Sequence, residues 1–302
     1  MACWLALRFG ATQADWEVVR ELRLPRVILA MGVGMGLAVA GAVLQVLFSN
    51  PLCEPYILGI SSGSALGVVI GLSLGVSWNW GGLVGTSFLG ALSFAVVLSG
   101  VTHRGSRSGS GKTHSALLLV GVTLGFFGNS LLALWMAIVE PNQLQSAMAW
   151  FFGDLSRARL SGAVFSMVAI SAVSLLIFTQ SGQLDAFLLG DEEASAIGVD
   201  VGRLQKILIA LTSILVGLCV SGAGVIGFVG LLVPHGVRRW VGAGHRDLLP
   251  LCALWGATVL VFADFASRWF AQPYELPVGV VTALVGSPVL IWTLLRRSQE
   301  AN

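Results

Sequence analysis

Between residues 27 and 295 the chain runs in long apolar stretches separated by short polar breaks, and few folds can accommodate that alternation. A helix needs ~20 apolar residues to cross a bilayer. Stretches at 27–48, 56–77, 81–101, 115–138, 160–179, 205–222, 226–241, 248–270 and 278–295 meet or approach that length. Nine spans are therefore expected. The one at 226–241 is the weakest, because it is short and ends in PHGVRR. Charged residues make up 11% of the chain, against ~25% in an ordinary soluble domain. The 38 glycines suit helices that pack closely in a membrane. The expected fold is all-α: a polytopic helical membrane protein forming one transmembrane domain over residues 1–302. The opening MACWLALRFG is too short to cross, and it lacks the basic leader of a signal peptide.

Orientation follows from Lys and Arg near the span ends. With these spans, Arg104, Arg107 and Lys112, then Arg238, Arg239 and Arg246, then Arg296 and Arg297 fall on one side, which is read as cytoplasmic. The corner SNPLCEP and the polar segment 180–204 fall on the same side. A net charge of +2 gives no support for nucleic acid as a partner. Cys3, Cys53, Cys219 and Cys252 are far apart with no CxxC pair, so neither a redox nor a metal motif is indicated. GSGKT at 109–113 has the look of a phosphate-binding loop, but its spacing to an upstream glycine is off by one and it joins two spans. A flexible basic loop is expected there.

Ionisable groups inside spans are costly and usually functional. Asp264 is the clearest, and Arg268 four residues later can pair with it on one helix face. Gln45 and Asn129 are read as interhelical hydrogen-bonding groups. A carrier driven by protons or sodium usually needs a buried acid at mid-membrane, and Asp264 is the sole candidate. The four histidines lie in loops or at span ends, which argues against an embedded enzyme. Energy for transport would then come from another subunit. The longest polar break, 184–205, contains DEEASAIG. It reads as a short amphipathic helix with Asp191, Glu192 and Glu193 in its first turn and Gly198 at its end. In SNPLCEP, Pro51 and Pro55 fix φ and remove two donors while biasing Asn50 and Glu54 toward extended backbone. The result is a stiff corner between two spans.

An ordered series of segments resembles the permease subunits of type II ABC importers for iron–siderophores, haem and vitamin B12. The series runs RLPRVILAMGVGMGLAVAGAVLQVLFSNPLCEPYILGISSGSALG (23–67), LGDEEASAIGV (189–199), GFVGLLVPHGVRRWVG (227–242), HRDLLP (245–250), then Asp264 with Arg268, then ELPVGVVTALVGSPVLIWTLL (275–295). The resemblance covers about residues 20–297. It implies ten spans per chain, of which the first is here absent or reduced to MACWLAL. The implied partners are a second permease chain, two cytoplasmic ABC ATPase subunits and a periplasmic or lipoprotein substrate-binding protein. The chain would sit in the bacterial cytoplasmic membrane, with no cofactor, no metal site and no catalytic residue of its own. Asn50, Pro51, Leu52, Cys53, Glu54 and Pro55, with Thr113, His114 and Ser115, would form a cytoplasmic gate, and the Cys53 thiol would report its state. Leu189, Gly190, Asp191, Glu192, Glu193, Ala194, Ile197 and Gly198 would meet the ATPase, with Leu189, Ala194 and Ile197 as the apolar anchor. Arg23, Arg26 and Arg268 would face outward and dock the binding protein. An ion-coupled secondary transporter is the alternative.

Overall fold

In a computed structural model, the described residues are 6, 16–56, 59–76, 80–105, 110–140, 144, 148, 150–270 and 275–300. Among them every regular element is helical. In chain order they are α1 (Leu24–Leu47), α2 (Ile60–Ser73), α3 (Trp80–Gly105), α4 (Ser110–Ile138), α5 (Leu160–Phe178) and α6 (Ser181–Phe187). After these come α7 (Asp191–Ala196), α8 (Val201–Ala223), α9 (Val229–Val241), α10 (His245–Trp269) and α11 (Val278–Glu300). Helical turns from Trp16 to Arg23, the last of them a π turn over Val19–Arg23, lead into α1 without a break, and Pro25 near the start of α1 removes one backbone donor from that run.

Each expected span coincides with a helix, but two are shorter than expected. α2 has 14 residues, because Tyr56 belongs to a turn and Gly59, at φ 71°, starts the helix only there. α9 has 13 residues, about 20 Å of rise, too little to cross the ~30 Å hydrocarbon core alone. The basic loop is also corrected: α3 runs to Gly105 and α4 begins at Ser110, so Thr113, His114 and Ser115 lie in helix rather than in a flexible connection. Cys3, Arg107, residues 141–143 and 145, and residues 271–274 lie outside the described residues.

α1 is the axis of the fold. It packs against α10, α5, α8 and α9, while α2, α3 and α4 form a second group joined to it through α8. Small residues make this possible. A Cβ on Gly34 would overlap the Gly256 carbonyl of α10, and one on Gly41 would overlap the Gly230 carbonyl of α9. The backbones touch at these two crossings, as small residues allow in membrane helices. Gln45 donates to the Gly230 and Leu231 carbonyls, both at 3.3 Å. Ser62 donates to Asn129 at 3.0 Å. These are the interhelical bonds expected of Gln45 and Asn129.

Candidate functional site

Three places carry polar groups that the fold positions deliberately. The first is the corner after α1. Asn50 N–H returns to the Gln45 carbonyl at 2.9 Å, with Ser49 left-handed at φ 47°, so the helix stops abruptly. The Asn50 side chain accepts from Leu52 N–H at 2.9 Å, an Asx-turn that adds to the stiffness of the two prolines. The corner has two sides: Pro51 and Leu52 are exposed, while Cys53, Glu54 and Pro55 are buried. Cys53 is therefore not the accessible thiol expected of it. It is fully covered, and burial pushes the thiol up to about 12.

The buried side of the corner holds α9. The Glu54 carboxylate accepts from Phe228 N–H, and the Tyr56 hydroxyl accepts from Ile226 N–H at 2.7 Å. Phe228 is the left-handed residue that starts α9, so Glu54 sits where a helix N-terminus favours negative charge. Glu54 lies in the connection outside the spans, and burial pushes its carboxyl up to about 7 against the pull of the Phe228 N–H. At the other end of α9, Arg238 donates to Gln45 at 2.5 Å and to the Ala42 carbonyl at 3.2 Å. The short helix is thus fastened to α1 and its corner at both ends. Nothing in the sequence pairs Glu54 or Tyr56 with residues some 170 positions away. Only the placing of an acid between two prolines hinted at a role.

The second place is the polar segment 184–205. Its expected short helix is α7, with the three acids in its first turn. Gly190 at φ 108° and Gly198 at φ 91° bound it. The expected anchor needs correction. Leu189 and Ile197 are exposed, as is Leu188, but Ala194 is fully buried inside the chain. The reason is local: a single turn of helix folded back by two glycines must rest one face on its own arm, and Ala194 is on that face. A further helix, α6, precedes it at the start of the polar segment and buries Leu184 and Phe187.

The third place lies at the far end of α10. Asp264 pairs with Arg268 at 3.0 Å, as the spacing suggested, but also with Arg26 of α1 at 2.5 Å. Arg26 reaches Glu275 as well, at 2.7 Å. Arg268 donates further to the Ala6 carbonyl at 3.4 Å. The contact of Asp264 Oδ2 with Arg268 is ionic in distance without hydrogen-bond alignment. Arg23, Arg26 and Arg268 had been expected on an outward face, yet all three are buried. The glycine crossing of α1 and α10 accounts for Arg26 and Arg268 by bringing Asp264 against α1. Only Glu275 of this cluster is half-exposed.

An apolar groove of about 520 Å³ also runs between α9, α10 and α11, lined among others by Phe228, Leu232, Trp240, Trp255 and Phe262. Cys53, Cys219 and Cys252 are free and buried. No group of His, Cys, Asp or Glu among the described residues could hold a metal ion. His235, expected at a span end, lies in the middle of α9.

Comparison with known proteins gives a consistent result. The FecCD transport family profile matches residues 2–296. The hemin transport system permease protein HmuU of Yersinia pestis is 38% identical over 295 residues, covering 97% of this chain and 87% of that protein. The vitamin B12 import system permease protein BtuC of Vibrio cholerae is 40% identical over 294 residues, with the same coverage of 97% and 87%. Among solved structures, a metal-chelate type ABC transporter in an inward-facing conformation matches with a TM-score of 0.87 at 31% identity, over 98% of this chain and 95% of that one.

Proposed function

The chain belongs to the FecCD transport family, and from that premise we propose that it is the membrane subunit of an ATP-driven importer that carries an iron chelate, haem or a corrinoid across the bacterial cytoplasmic membrane. It is a multi-pass permease and not itself a catalyst. ATP is hydrolysed by two partner subunits, and two permease chains enclose the path. The observation that carries the energy source is the state of the acid buried inside a span. Asp264 is held between Arg26 and Arg268. A carboxylate tied to fixed cations is poorly placed to bind and release a coupling ion, which weighs against Asp264 as the site of ion coupling.

Three surfaces take roles in this reading. Asn50, Pro51 and Leu52 face the path as a stiff gate, with Thr113, His114 and Ser115 of α4 as its second element; Cys53, Glu54 and Pro55 brace the gate from behind. Leu188, Leu189 and Ile197 are the apolar contacts with the ATPase, and Asp191, Glu192 and Glu193 form the rim, where charges contribute less than buried anchors. Gly190, Ala194 and Gly198 shape the arm. The substrate-binding protein docks over the buried arginine cluster. It meets Glu275 first, and Arg23, Arg26 and Arg268 hold that surface from below.

The test is reconstitution with the ATPase and binding protein, offering haemin, cyanocobalamin and a ferric siderophore separately. ATP-dependent accumulation of one of the three is expected. Accumulation of none, with an assembled and ATP-hydrolysing complex, would overturn the ligand class.

A further inference from the structure

α6 opens the polar arm that carries α7, and its Asp185 reaches across to the start of α10. One carboxylate oxygen accepts from the His245 backbone N–H at 2.8 Å and lies 2.6 Å from His245 Nδ1. His245 is fully buried and is the first residue of α10, while Asp185 is part-exposed. Gly244, just before it, offers no side-chain cap, so Asp185 supplies from another element the acceptor that a helix start requires. The first turn of α10 needs that help. Pro250 has no N–H to close onto the Arg246 carbonyl, which leaves the turn with one fewer bond of its own.

The remainder of α10 is well held. It is 25 residues long, roughly 37 Å at 1.5 Å per residue. Its middle crosses α1 at Gly34 and Gly256 with backbones in contact. Its far end carries Asp264, bound to Arg26, which in turn binds Glu275. The Leu276 N–H returns to the Ser267 carbonyl of α10 at 3.1 Å. One helix therefore has a polar fastening at each end. One ties it to the arm with the exposed Leu188, Leu189 and Ile197, and the other ties it to the connection on the opposite face.

We infer that the Asp185–His245 contact is the joint through which displacement of the arm is passed to α10, and by α10 to the Glu275 connection on the other side of the membrane. Asp185 and His245 are positioning residues. Neither touches the transported ligand, and both fix the angle between the arm and the helix. The inference rests on the reading that this arm meets an ATPase.

The test uses the chain assembled with its ATPase in lipid nanodiscs. Spin labels are placed at the exposed Phe270, just past α10, and at the exposed Ile138, at the end of α4, with Cys3 replaced by Ser. The distance between them is compared without nucleotide and after trapping with ADP and vanadate. A nucleotide-dependent shift is expected in the parent and in Asp185→Asn, which keeps an acceptor for both His245 donors. The shift should fall by at least half in Asp185→Ala, while ATP hydrolysis continues. His245→Ala keeps the backbone half of the joint and should lie between them. An undiminished shift in Asp185→Ala overturns the joint. If that variant does not assemble, an undiminished shift in His245→Ala overturns it. No shift in the parent sinks the ATP-driven reading and the joint with it.

Discussion

α1 and α4 are both apolar and long enough to cross a membrane, yet they occupy opposite positions in the molecule. In the most apolar window of the helical run leading into α1, 83% of residues are buried inside the chain, whereas for the Leu118–Ile138 part of α4 the share is 22%. Hydropathy does not tell them apart, because lipid and protein interior are equally apolar. Residue size and polarity do. α1 places Gly34 and Gly41 against neighbouring backbones and carries Arg26 and Gln45 toward partners on α10 and α9. α4 presents Leu119, Phe126, Phe127 and Leu134 outward. A membrane protein's centre is thus marked by its small and polar residues, and its periphery by its largest apolar ones.

The sharpest way to break this contrast is to add one side chain at a crossing. Gly34→Val would drive its methyl groups into the Gly256 carbonyl. Overpacking costs ~1–3 kcal/mol where side chains can yield, and here backbone would have to move, so loss of monodisperse protein on size-exclusion chromatography is expected. Leu119→Ala on α4 should leave the elution profile and melting temperature of the parent. Equal behaviour of the two variants would refute the contrast.

The next effect concerns the buried charges. Arg26→Gln leaves Asp264 with Arg268 alone and releases Glu275. Breaking a buried pair costs ~3–5 kcal/mol when nothing replaces the partner; with Arg268 retained, the loss should sit at or below the low end of that range. The exposed Arg20, changed to Gln, should stay within ~0.5 kcal/mol. Thermal unfolding in one detergent measures both.

A smaller effect is expected at the brace behind the corner. Tyr56→Phe leaves the Ile226 N–H without its acceptor, at ~1–3 kcal/mol. It should lower the melting temperature less than Arg26→Gln, and hydrogen exchange should rise at Ile226 and the start of α9. Unchanged exchange there would show that the corner does not hold α9.

The arm that carries α7 is where stability and the proposed role should separate. Leu189→Ser removes an exposed group and should not change melting, but it should reduce stimulation of the ATPase several-fold. Ala194→Arg forces a charge into a fully buried site and should destabilise the arm itself. Normal stimulation by the Leu189→Ser complex would remove that leucine from the interface.

These differences trace what the sequence could reveal. Helix positions were readable because ~20 apolar residues have one common use in a chain with so few charges. The shortness of α9 was foreshadowed by PHGVRR, and the Asp264–Arg268 pair by its i,i+4 spacing. The partners of Arg26, Glu54, Tyr56 and Asp185 were not readable. Each lies many residues away, and its identity depends on which helices cross, a property of the packed bundle and not of any local pattern. The burial of Ala194 was missed for a related reason: a turn of helix does not state which face its own arm will cover. The exposed side of the corner at Pro51 and Leu52 could be separated from its buried side only once α9 was placed.

The central claim is that transport through this chain is powered by ATP on a partner and not by an ion moving through its own carboxylates. Its most direct test is ligand uptake by sealed vesicles containing the full complex, with binding protein and ligand outside and ATP inside, in the presence and absence of protonophore and sodium ionophore. The account predicts uptake that requires internal ATP, stops with vanadate and continues at an undiminished initial rate when both gradients are collapsed. Uptake that proceeds without ATP and disappears with the ionophores would contradict it.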